Sequence, residues 1–218
     1  MLTLFLKACY LGFCGIAIPL PVFIYLIYMS MKSGAKAGRL LFLGHFTASA
    51  VIAVLLFAGS GDLLLSPAAQ ILLLALGCVM PVILGITMIK SAVTQKLEPE
   101  LVSDSSYQAR RESGGWLFLA GAVMSFTSVS WISWCAVSAK GLLASAMQSD
   151  GFIGALLMVI GFILAAFLLY WLLSAVFSLT GRLMKSTIYR VAVGVLGAGL
   201  ITCAVMNVIE IIRLFSYV

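Results

Sequence analysis

The sequence predicts an all-α integral membrane protein, with six transmembrane helices in two inverted three-helix repeats and both termini outside. Three observations carry this. Of 218 residues, 63% are hydrophobic and 9% charged, and the mean hydropathy is +1.20, so too few charges exist to build a water-facing shell. Apolar stretches at 8–31, 40–59, 67–89, 116–139, 151–178 and 191–209 each reach or approach the ~20 residues that cross a bilayer as a helix. None alternates polar and apolar residues with a period of two, which excludes membrane-spanning strands. Finally, the hydrophilic stretch 94–114 straddles the midpoint of the chain, so residues 1–93 and 115–218 form two halves of three spans each. An odd number of spans per half makes the second half insert upside down relative to the first.

The net charge of +6 is spread over loop ends and forms no single basic patch, which argues against a nucleic-acid partner. Ten of the thirteen basic residues lie in three loops: Lys32, Lys36 and Arg39; Lys90, Lys96, Arg110 and Arg111; Arg182, Lys185 and Arg190. Lys7, Lys140 and Arg213 lie on the other side. Positive charge is retained on the cytoplasmic face, so the three rich loops are expected inside and both termini outside.

Helix one follows Lys7 and resembles a signal peptide only superficially, because its apolar run is too long for one. It is expected to stay in place. Pro19 and Pro21 sit in its middle, where each removes a backbone donor and clashes with the preceding turn, so a break at Pro19-Leu20-Pro21 is expected. Freed carbonyls at membrane depth must face protein or a wet cavity.

Helix two follows Gly34 and Gly38 and carries Gly44 and His45, the sole histidine. At 1.5 Å per residue His45 lies about 9 Å along the helix from Arg39. A titratable group inside a membrane is a candidate proton carrier. Ser66 and Pro67 form a helix start, an N-cap followed by proline at the first helical position. Helix three then carries Gly77 and Gly85 around Pro81, small residues that let helices approach closely. Residues 94–114 hold four of the seven acids and read as a flexible cytoplasmic linker.

If the halves are inverted repeats, helix four should be disturbed near residue 128, one half-length beyond Pro19. The stretch there, Ser125-Phe126-Thr127-Ser128-Val129-Ser130-Trp131-Ile132-Ser133-Trp134, is rich in hydroxyls, which bond back to helix carbonyls and bend a helix without proline. Thr127, Trp131, Trp134 and Ser138 recur at helical spacing and form a hydroxyl and indole stripe. Helix five ends at Tyr170 and Trp171, read as an interfacial aromatic belt. Helix six runs through Gly194, Gly197 and Gly199 to Glu210 and Arg213, three apart and able to pair.

Cys9, Cys14, Cys78, Cys135 and Cys203 lie in apolar segments without Cys-x-x-Cys spacing, and no metal-ligand cluster accompanies them. No cofactor is expected. There is no Gly-x-x-x-x-Gly-Lys-Ser/Thr loop for ATP and no nucleophile beside a base, so an enzyme is not expected.

With these residues in view, the chain resembles the lysine-exporter (LysE-type) translocator family. The family's Pro-Gly-Pro break corresponds to Pro19-Leu20-Pro21, and its glycines entering helix two to Gly34, Gly38 and Gly44. Gly77 and Gly85 match its pair in helix three, Gly121 its glycine in helix four, and Gly194 to Gly199 its run in helix six. Leu20 replaces the central glycine, Ser128-Val129 the family's Asn-Pro, and Ser49 its acidic residue in helix two. The resemblance implies a divergent bacterial inner-membrane exporter of amino acids or related small polar solutes, working by alternating access.

On that reading the solute site lies between the broken helices one and four, at Pro19, Leu20, Pro21, Thr127, Ser128, Ser130, Trp131 and Trp134. His45 and Glu210 are the proton-coupling candidates, and Gly34, Gly38, Gly44, Gly77, Gly85 and Gly121 serve packing and hinges. Homodimerisation through glycine-rich faces is the one protein partnership expected. An alternative is a membrane thiol–disulfide carrier using Cys14 and Cys135, a layout similar to cytochrome c biogenesis proteins.

Overall fold

The computed structural model describes residues 2–16, 21–59, 61–94 and 113–216, and these are helical throughout apart from short turns. The helices are α1 (Leu2–Ile16), α2 (Pro21–Ser33), α3 (Ala35–Phe57), α4 (Gly61–Leu64) and α5 (Pro67–Thr94) in the first half. In the second half come α6 (Gly114–Phe126), α7 (Val129–Trp134), α8 (Lys140–Leu183) and α9 (Ser186–Ser216). Among the described residues four helical runs are long and apolar enough to cross a membrane: Ala35–Leu56, Pro67–Thr94, Val129–Leu183 and Ser186–Ser216.

The first expected span is carried by α1 and α2 together. Their 15 and 13 residues rise only about 20 Å each, short of the ~30 Å hydrocarbon core. Pro21 opens α2, where its missing N–H leaves no helical bond unmade. Pro19 and Leu20 lie outside the described residues, as does nearly all of the hydrophilic stretch.

A single residue joins α2 to α3. Gly34 has φ +87°, a left-handed conformation that side chains disfavour, and its N–H bonds back to Ser30 O at 3.1 Å. Helix two therefore begins at Ala35, five residues before the apolar run suggests. Ser66 and Pro67 start α5 as the sequence indicates, with Ser66 Oγ accepting from Ala69 N–H at 3.4 Å.

The fourth expected span is broken where the half-length offset places the disturbance. After Phe126 the chain turns at Thr127, passes through Ser128 in an extended conformation (φ −86°, ψ 94°) and resumes as α7. Thr127 Oγ1 donates to Val123 O at 2.9 Å and Ser125 Oγ to Gly121 O at 2.6 Å, so hydroxyls compete for the backbone acceptors of this turn. A π-helical turn at Cys135–Ala139 follows. The long run that continues from it is folded at Gly151 (φ 65°, ψ −157°), which separates the fourth expected span from the fifth.

Helices pack through glycines. Lipid tails are as apolar as leucine, so close van der Waals contact has to hold such helices together. On α5 the buried stripe Leu74, Gly77, Pro81, Gly85, Met88 and Ala92 faces Tyr189, Val193, Gly197, Leu200 and Ala204 of α9. A Cβ on Gly85 would come 2.8 Å from Gly197 O. The α3–α6 crossing is tighter: a Cβ on Gly44 would run into Phe118 O, and one on Gly121 into Leu41 O. Arg190 ties the ends of α5 and α9, its Nε donating to Ala92 O at 2.8 Å and Nη2 to Val93 O at 3.2 Å.

One aromatic lies elsewhere than the sequence indicates. Tyr170 is 2% exposed and stacks on Phe42 with ring centroids 4.6 Å apart, so it belongs to the core and not to an interfacial belt. Only its neighbour Trp171 is exposed there, with the Arg39 guanidinium 3.9 Å above its ring.

Candidate functional site

A cavity of about 240 Å³ lies between α1, α3, α7 and α8. Its wall on α3 runs from Phe42 to Leu56, about 21 Å along the helix axis. Phe42, His45, Trp131 and Tyr170 mark one end, since their rings touch: His45 lies 5.2 Å from Trp131 and 5.7 Å from Tyr170. Trp134 stacks on Trp131 at 5.2 Å and on Phe162 at 5.6 Å, which carries the aromatic wall further along. Lys140, nine residues past Trp131, marks the opposite end about 13 Å away.

His45 is held by the break in the fourth expected span. Its Nδ1 lies 2.6 Å from Ser125 Oγ, and both groups are buried. The Ser125 hydroxyl has one proton, which it donates to Gly121 O at 2.6 Å. The imidazole must then donate from Nδ1, so in its neutral form the ring is the Nδ1–H tautomer with Nε2 as an acceptor. Among the described residues nothing bonds Nε2, and His45 forms part of the cavity wall.

One turn further along α3, Ser49 completes the arrangement. Trp131 Nε1 donates to Ser49 Oγ at 3.0 Å, and Ser49 Oγ donates to His45 O at 2.8 Å. The indole is thereby fixed at the cavity wall with its own donor used. Cys135 follows on the π-helical turn and also lines the cavity. A π-helical turn shifts the register of the side chains beyond it and recurs at functional sites.

Beyond Tyr170 the bundle is sealed. A Cβ on Gly38 would run into Ser30 Oγ and come 2.8 Å from Ser174 Oγ, and one on Gly181 would come 2.8 Å from Met31 Cα. Backbones of α2 and α8 meet at Gly181, and the Ser30 and Ser174 side chains close on Gly38 of α3. The same layer holds polar atoms without hydrogen-bond partners among the described residues: Ser30 Oγ, Arg39 Nε and Tyr170 Oη.

Of the residues singled out from the sequence, the structure brings His45, Trp131 and Trp134 to this cavity. Thr127 and Ser128 instead form the break, Thr127 against Gly77, where a Cβ would come 2.7 Å from Thr127 O. Ser130 is exposed, and Pro21 is half-buried at the start of α2. Glu210 is exposed and pairs with Arg213 at 3.4 Å, away from the cavity wall. The side chain of Cys14 lies outside the described residues. Phe42, Ser125 and Tyr170 join the site without a site signal of their own in the sequence, except that Ser125 opens the hydroxyl stretch Ser125–Trp134.

The family described as LysE type translocator matches residues 13–210, most of the chain and both of its halves. No curated protein and no solved structure matches it.

Proposed function

The chain belongs to the LysE-type translocator family, and from that premise we propose that it is a secondary transporter that exports amino acids or related small solutes from the bacterial cytoplasm by alternating access. Membership makes it a multi-pass membrane transport protein rather than an enzyme, in keeping with its long apolar helices. The observation that carries the finer reading is the cavity itself. It lies inside the bundle against the broken fourth span and ends on an imidazole acceptor held by Ser125. Binding pockets of this kind are mostly apolar with a few placed polar groups.

In this reading six spans cross the inner membrane with both termini outside, and the two three-helix halves rock about the broken helices. The Lys32–Arg39 joint is then cytoplasmic, so the sealed layer at Gly38 and Gly181 faces the cytoplasm and the Lys140 end faces outward. The arrangement corresponds to an outward-facing state. Export requires the sealed layer to part, and the partnerless Ser30 Oγ and Arg39 Nε gain water when it does. Thr127 and Ser128 act in this scheme as a break about which the halves move. Proton coupling falls to His45, at the cavity wall, in preference to Glu210, which is engaged with Arg213.

Efflux of a labelled amino-acid panel from loaded cells, with and without a protonophore, tests this. Faster efflux of at least one solute, lost in Trp131→Ala and slowed by the protonophore, supports it; no solute leaving faster overturns it. A second reading, thiol–disulfide exchange between Cys14 and Cys135, draws on the place of Cys135 at the cavity wall. Full activity of Cys14→Ser and Cys135→Ser removes it.

A further inference from the structure

The cavity wall is informative about what it holds. Among its described residues the one charged side chain is Lys140, and no carboxylate is present. Most of the remainder is aromatic or aliphatic, with Phe42 and Phe46 joined through the His45 ring to Trp131, Trp134 and Phe162. The polar groups at the His45 end are largely spent on each other. The Trp131 indole donates to Ser49, Ser49 donates to His45 O, and Ser125 is shared between Gly121 O and the imidazole. Tyr170 Oη also lacks a partner among the described residues, but the atom is itself buried away from the cavity space, so the acceptor left open on the wall is His45 Nε2.

We propose that the solute has a bulky apolar body, aromatic or branched, with one hydrogen-bond-donating head that docks on His45 Nε2. This deepens the exporter reading and rests on it. A second cation on the solute would have to be buried against rings and a lysine with no carboxylate to pair it, which is costly inside a membrane protein. A short polar side group would meet no partner along the ring wall. An apolar body fills the space favourably, since a cavity of about 240 Å³ exceeds the ~150 Å³ that accepts a benzene ring in a packed protein. An α-ammonium head has the needed donor, and the adjacent Trp131 ring favours positive charge on its face. Lys140 at the opposite end complements a carboxylate entering or leaving.

Equilibrium dialysis of the purified full-length protein against labelled phenylalanine, leucine, serine, lysine and glutamate reads this directly. Phenylalanine and leucine are expected to bind at least about tenfold more tightly than the other three, from the larger apolar area removed from water. His45→Leu is expected to lose that binding and His45→Gln, which keeps an acceptor, to retain part of it. Tightest binding of lysine, serine or glutamate overturns this inference and leaves the exporter reading standing. Binding of none of the five also overturns it, and the exporter reading is then decided separately by the efflux assay. Equal phenylalanine binding by wild type and His45→Leu overturns the assignment of the head group.

Discussion

Replacing Gly121 by alanine drives a methyl group into Leu41 O, a backbone atom that cannot rotate away, so α3 and α6 must separate. Overpacking of this kind costs about 1–3 kcal/mol, and a clash with backbone lies at the upper end. The separation also stretches the 2.6 Å contact between His45 and Ser125 across the same crossing. Interhelical hydrogen bonds in membranes contribute about 0.6 kcal/mol and at most about 1.7, so the total expected loss is about 2–5 kcal/mol. Gly115 and Gly141, with no atom within 4 Å of the corresponding Cβ, are the matched controls. Alanine there is expected to be neutral or to stabilise by about 0.4–1 kcal/mol, through a less disordered unfolded chain. Denaturant titration in mixed micelles followed by tryptophan fluorescence measures all three. Gly121→Ala matching the stability of Gly115→Ala would refute the close α3–α6 crossing and with it the placement of His45.

Arg190→Gln removes a guanidinium that satisfies two of the last carbonyls of α5, which have no partner within their own helix; a loss of about 1–2 kcal/mol is expected, with faster hydrogen exchange near Thr94. Trp131→Phe keeps one aromatic ring and deletes the donor to Ser49, whose own bond to His45 O remains, so loss of the hydrogen bond should lower stability in denaturant titration by no more than about 1 kcal/mol. Glu210→Gln breaks a pair whose side chains are 48% and 68% exposed; such pairs contribute about 0–1 kcal/mol, so melting and solute efflux should both stay as in wild type. His45→Gln should keep the fold and lose the response of efflux to an imposed pH gradient, measured in proteoliposomes.

What the sequence displayed and what it concealed follow from the range of the interactions. Hydropathy is local, and among the described residues four helical runs are long and apolar enough to cross a membrane, while the first and fourth apolar runs are divided between shorter helices. The break at Thr127-Ser128 was legible because hydroxyls act on carbonyls four residues away in their own helix. Gly34 stood out as a glycine, but only the observed φ shows that it makes a one-residue joint. Tyr170 was misplaced because a tyrosine near the end of an apolar run suits either an interface or a core. Its stacking on Phe42, 128 positions earlier, leaves no periodic trace in the sequence. The bond between His45 and Ser125 is hidden for the same reason: 80 positions separate them. Spacing could flag each as unusual, and only the α3–α6 crossing brings them together.

The central claim is that solute passes through the cavity bounded by His45, Trp131 and Tyr170. Counterflow in proteoliposomes, comparing wild type with Ala53→Phe and Ala166→Phe, addresses it most directly, because both alanines line the cavity without bonding to the polar groups at its end. The variants fill the space from opposite walls, α3 and α8. Exchange of labelled solute by wild type, abolished in both variants while their melting stays close to wild type, is the expected result. Undiminished exchange in well-folded variants would contradict the claim and place the pathway elsewhere in the bundle.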